Sequence, residues 1–120
     1  MKLTELLERV ENADGPNLAL EWEIHISLLG IEGAGIYGKH PNYTASVDAA
    51  LALADRAAPD WTIHTIHRGA TRWTAEMCRR HDWRQNAESS NSSLPLAICA
   101  ALLKALIESP AGRRALEESR

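Results

Sequence analysis

The chain has 120 residues, a length that fits one domain over residues 1–120 and can bury an apolar core without disulfide or metal staples. Its 45% apolar and 24% charged composition is ordinary for a globular protein, and a net charge of −3 gives no support to general polyanion binding. The charge-studded opening MKLTELLERVENADG reads as no secretory leader, and the apolar run Leu94–Leu103 is about half the ~20 residues of a bilayer span, so no membrane partner is expected.

Leu3, Leu6, Leu7 and Val10 recur at i, i+3, i+4 and i+7, which predicts an amphipathic first helix with Thr4 as a cap. Asp14-Gly15-Pro16 ends it by turn chemistry. Residues 18–29 carry two signals. Leu18, Leu20, Trp22, Ile24, Ile26 and Leu28 alternate as in a strand, while Leu20, Ile24 and Leu28 also line a helix face and Pro16 suits a first helical turn. Helix is the reading taken. Gly30–Gly38 holds four glycines and reads as a loop with a short strand around Ile36. A helix follows, capped by Thr44 or Ser46, with Val47, Ala50, Leu51 and Ala54 buried and Pro59 beyond its end.

Trp61–Arg68 and Thr71–Arg79 are rich in strand formers and read as a hairpin turning near Gly69, with residues 83–87 as a third strand. Residues 88–93 read as a serine-rich loop. Ser93 then caps a helix from Leu94 to Leu106 that is apolar on nearly every side and so must be buried. A short polar helix is expected over 111–118.

Four arrangements carry chemical interest. From Trp61 to Arg84, five arginines face Glu76 and Asp82, a local +3 that leaves −6 on the rest of the chain. Arg68, Arg72, Arg79 and Arg80 can grip phosphate and Trp61 and Trp73 can offer ring faces, while Lys39 and Thr44 add donors where the glycine loop enters a helix. The competing reading makes the tryptophans core and the arginines a solvated strand edge. His64 and His67 lie three apart on one strand, hence on opposite faces, and Cys78 and His81 add only a CxxH spacing, so no metal site is expected. Ser89, Ser90, Ser92 and Ser93 among His64, His67, Asp82 and Glu88 allow a small hydrolase to be imagined, but no nucleophile elbow supports it. Cys78 and Cys99 form no disulfide framework, which fits a reducing compartment, the cytoplasm of a host cell.

Several of these stretches, in this order, resemble the phage ABA sandwich domain family: LLERVENADGP from Leu6, YTASVDAA from Tyr43, the tryptophan Trp61 at the head of the first strand, and LPLAICAALLKA from Leu94. The resemblance runs from Leu6 to about Leu106. It implies a single-domain, three-layer α/β/α sandwich with a small, mainly antiparallel sheet, and a phage or prophage origin. It implies no catalytic residue and no cofactor. The glycine loop and the His- and Arg-rich HRGATRWTAEMCRRHDWRQ depart from the pattern.

The expected function is therefore a non-enzymatic phage accessory protein that binds an anionic, nucleotide-like small molecule, such as a host defence signal. The expected ligand residues are Lys39, Thr44, Arg68, Arg72, Trp73 and Arg79. A module that binds a host or virion protein is the alternative. Nucleic acid is a poor fit for the charge, and a homo-oligomer is compatible with the sequence.

Overall fold

A computed structural model describes residues 2–30 and 42–108. In chain order the elements are α1 (Leu3–Asn12), α2 (Leu18–Leu29), α3 (Val47–Ala57), β1 (Trp61–Arg68), β2 (Trp73–Arg79), β3 (Asp82–Asn91) and α4 (Leu94–Glu108). The strands form an antiparallel meander in the order β1-β2-β3, so the chain is of the α/β class with an antiparallel sheet.

The ambiguous stretch 18–29 is helical. Asn17 caps it by accepting from the Leu20 amide at 2.9 Å, and Gly30, at φ 78°, stops it in a conformation that favours glycine. Pro16 therefore sits just outside the helix. Thr4 does not cap α1 either, since the chain enters from Lys2 without a side-chain cap. Ser46, not Thr44, caps α3, taking the Ala49 amide at 3.2 Å.

Helix α4 is the centre of the molecule. Leu96, Ile98, Leu102 and Leu103 are fully buried, as are Ala97, Ala100, Ala101 and Ala105. One side packs on β2 and β3, another on α1 and α3. The four alanines let these neighbours approach closely, and each large apolar side chain stabilises the fold by roughly 1.5–3 kcal/mol.

The serine-rich stretch that reads as a loop is strand instead, and β3 runs on to Asn91. Ala87, Ser89 and Asn91 alternate inward against α4, where only small side chains fit. Asn91 also ties three elements together. Its amide donates to the Val10 and Ala13 carbonyls at the end of α1, and its Oδ1 accepts from the Ser93 amide at the start of α4.

Among the described residues the helices pack on one face of the sheet, through Ile63, Ala75, Met77 and Ala87. The other face carries Thr65, His67, Thr74, Glu76, Glu88 and Ser90, which are exposed or half-buried. The short strand expected near Ile36 and the helix expected over 111–118 lie outside the described residues.

Candidate functional site

Of the six expected ligand residues, the five that are described do not converge. Lys39 lies outside the described residues. Thr44 is fully buried, and both its donors are committed to Glu21: the amide at 3.0 Å and the hydroxyl at 2.6 Å, each to Oε2. Its hydroxyl oxygen in turn accepts from the Asn17 amide at 2.8 Å. Thr44 is thus a clamp between α2 and the turn before α3. Next to it His25 Nδ1 meets the Tyr43 hydroxyl at 2.6 Å, with the rings stacked, and the Cys99 thiol donates to the Tyr43 carbonyl at 3.6 Å. Burial pushes the Cys99 thiol up to about 12, and burial likewise raises the Tyr43 phenol.

This buried polar set was not singled out by sequence reading. Its signal was available: Glu21 and His25 stand four apart on a helix otherwise rich in apolar residues, hence on one face.

Arg68, Arg72 and Trp73 gather at the end of the sheet where β1 turns into β2. The Arg68 guanidinium lies over the Trp73 ring at 5.5 Å, and Arg72 donates to the Ser90 carbonyl at 2.9 Å. Arg79 closes the opposite end of β2, six residues and roughly 20 Å of strand away.

The histidines differ from strict alternation. A bulge between Ile63 and Thr65 shifts the register, so His67 pairs with Thr74 and shares its face with Glu76. Glu76 in turn holds His64, Nδ1 to Oε1 at 2.9 Å. His64 and His67 therefore lie on one face, not two. Of the serines, Ser89 has a buried hydroxyl with no hydrogen bond and Ser90 bonds Thr74; no serine–histidine pair is present among the described residues.

A concave feature lies at Arg79's end of the sheet. It is an open cleft of about 440 Å³ lined by Trp61, Arg84, Gln85, Asn86 and Glu108. A second irregularity makes it. Cys78 pairs with Asn86 and Arg79 with Asp82, so Trp83, Arg84 and Gln85 have no opposite number on β2. Strict alternation sends consecutive side chains to opposite faces. Freed from it, Arg84, Gln85 and Asn86 all reach the same cleft.

A polar network stiffens this hairpin end. Arg79 donates to Gln85 Oε1 at 3.1 Å, Gln85 donates to Asp82 Oδ2 at 3.2 Å, and Asp82 Oδ1 accepts from the Arg84 amide at 3.1 Å. Arg80 pins the tip to the loop before β1 through the Pro59 and Asp60 carbonyls, each at 2.8 Å. Trp83, beside the cleft in sequence, is 73% exposed.

Chemically the cleft offers a guanidinium, two amides and a carboxylate. Such a set suits a small polar molecule with an anionic group, and the volume falls in the usual ~300–1,000 Å³ range of ligand sites. Among the described residues there is no group of three metal-ligating side chains, and no helix long and apolar enough to cross a membrane. No protein family, curated protein or solved structure matches the chain. The described residues thus form an α/β domain, four helices and a three-stranded antiparallel sheet among them, with a polar cleft at one end of the sheet.

Proposed function

We propose that the protein binds a small, anionic, nucleotide-like molecule without transforming it, and that the hairpin cleft is the site. The observation that carries this reading is Arg84. It lines the cleft, and its guanidinium makes no ion pair or hydrogen bond among the described residues, while the arginines around it are committed. An arginine held on a stiffened hairpin is a ready phosphate ligand. The resemblance to the phage ABA sandwich family extends the proposal to a phage or prophage accessory protein acting in the host cytoplasm, where binding would sequester a defence signal.

Calorimetry against mono- and cyclic nucleotides tests it. Binding is expected in the micromolar range, weakening with salt and by about ten-fold or more in Arg84→Ala, with the melting temperature unchanged. Absence of binding across the panel refutes the reading.

The exposed Trp83 favours a second reading, a module that docks a host or virion protein, because exposed aromatics and arginines are the common anchors of protein interfaces. Trp83→Ala would then abolish partner binding and leave nucleotides without effect.

The three-layer α/β/α sandwich belongs to the same proposal. It requires a helical layer over the face that carries His67 and Glu88. His67→Cys tests this, because a covered thiol there would react slowly with a bulky maleimide and an open one quickly.

A further inference from the structure

We propose that the ligand of the hairpin cleft is a ribonucleotide, held by Arg84 at its phosphate and by Glu108 at the cis-diol of its ribose. The inference rests on the reading of the cleft as a nucleotide site and deepens it.

Arg84 and Glu108 line one cleft and yet form no ion pair, although a cation and an anion free to meet in so small a space would be expected to. Neither has another charged partner among the described residues. Arg84 is tied at its backbone, where its amide bonds Asp82, and Glu108 is the exposed last residue of α4, whose body is buried in the core. Each charge is therefore left for a ligand in the cleft.

A ligand that satisfies both must therefore be two-ended, with an anion for the guanidinium and hydrogen-bond donors for the carboxylate. A plain anion such as inorganic phosphate meets the first need and is repelled by the second. A nucleoside 5′-phosphate meets both, because vicinal hydroxyls donate in parallel to a carboxylate, the chemistry by which acidic residues select ribose. Asn86, with a donor and an acceptor, remains for the base, while the Gln85 amide is engaged by Arg79 and Asp82. The same set explains why a −3 chain can take an anion selectively: recognition lies in the diol, not in a positive field.

The test is calorimetry of the full chain with AMP and GMP, their 2′-deoxy counterparts, and inorganic phosphate. The ribonucleotides are expected to bind at least ten-fold more tightly than the deoxy forms, the worth of one hydrogen bond to a charged group, and phosphate weakest of all. Glu108→Gln should remove the ribose preference while deoxynucleotide binding persists, and Arg84→Ala should weaken both forms alike. Equal affinity for the ribo and deoxy forms overturns the diol assignment and leaves the nucleotide site standing. Failure of every nucleotide to bind overturns both. Because Glu108 is exposed, its substitution is not expected to disturb the fold, which the melting temperature verifies.

Discussion

Replacing Thr44 by valine separates a structural role from a ligand-binding one. Valine keeps the shape and adds a methyl where the hydroxyl stood, so packing around this fully buried position is conserved. What is lost is the 2.6 Å bond to the Glu21 carboxylate and the acceptor for the Asn17 amide at 2.8 Å. A hydrogen bond to a charged group contributes roughly 1.5–3 kcal/mol, and a part-buried amide deprived of its acceptor costs about 1 kcal/mol more. The extra buried methyl returns somewhat less than ~1 kcal/mol. The net expectation is a loss of about 2–3 kcal/mol, a large share of a total of ~5–15 kcal/mol. In a domain of this size that lowers the melting temperature by about 10 °C. Urea denaturation gives the free energy directly, and a double-mutant cycle with Glu21→Leu isolates the pair, with a coupling of more than ~1 kcal/mol expected. Loss of less than ~1 kcal/mol with no coupling would refute the clamp. Nucleotide affinity should be unaltered below the transition, because Thr44 does not line the cleft.

Three further outcomes follow from the core. Ser89→Ala should stabilise the protein by about 1 kcal/mol, since the Ser89 hydroxyl is buried without a hydrogen bond, and calorimetric melting will show a rise of a few degrees. Stability should fall on the alkaline side: the Cys99 pKa rises from 9.0 to about 12 on folding, so its neutral form stabilises the fold fully below pH 9, and that contribution is lost as pH climbs from 9 towards 12. The Tyr43 phenol, also raised, acts in the same sense, and Cys99→Ala should flatten the decline measured by urea titration between pH 8 and 10.5. Leu102→Asp should unfold or aggregate the protein, because an unpaired charge at a fully buried position costs several kcal/mol; a near-normal melt would show that α4 is not the core.

Most of the architecture was legible because it rests on periodicity and end signals. Trp61–Arg68 begins and ends as its strand formers dictate, and Leu94 starts α4 where Pro95 and the apolar run place it. The helix over 18–29 was legible only as a choice between two patterns. Its buried face includes Glu21 and His25, and a charged residue on a core face blurs the helical signal while leaving the alternation intact. The far half of β3 was not legible. Ser89 and Asn91 look like loop residues, and only the closeness of α4 explains why small polar side chains fill inward positions. The site was the least legible part. Charge composition pointed to the segment from Trp61 to Arg84, and the segment does hold Arg84, but the arginines singled out there are divided between the two ends of β2.

What hid the cleft is the bulge, and its cause can be tested by removing it. A two-residue turn, Arg80-His81, joins β2 to β3, and no residue other than glycine among those described has positive φ. The two-residue turns that match the twist of a hairpin need positive φ at one or both central residues, which Arg and His resist. The chain instead absorbs the misfit in three surplus residues, Trp83, Arg84 and Gln85, and two of them, Arg84 and Gln85, line the cleft. Deleting them while changing Arg80→Asn and His81→Gly should give a regular hairpin. Asn86 would then follow Asp82 directly, the Cys78–Asn86 and Arg79–Asp82 pairs would become consecutive, and Ala87, Ser89 and Asn91 would keep their inward places. The bonds removed with Gln85 are exposed and worth roughly 0–1 kcal/mol each, so cooperative melting should survive within a few degrees. Nucleotide binding should disappear. A variant that melts without cooperativity would show that the three residues are needed for folding rather than surplus to it, and a variant that folds and still binds would move the site away from this hairpin.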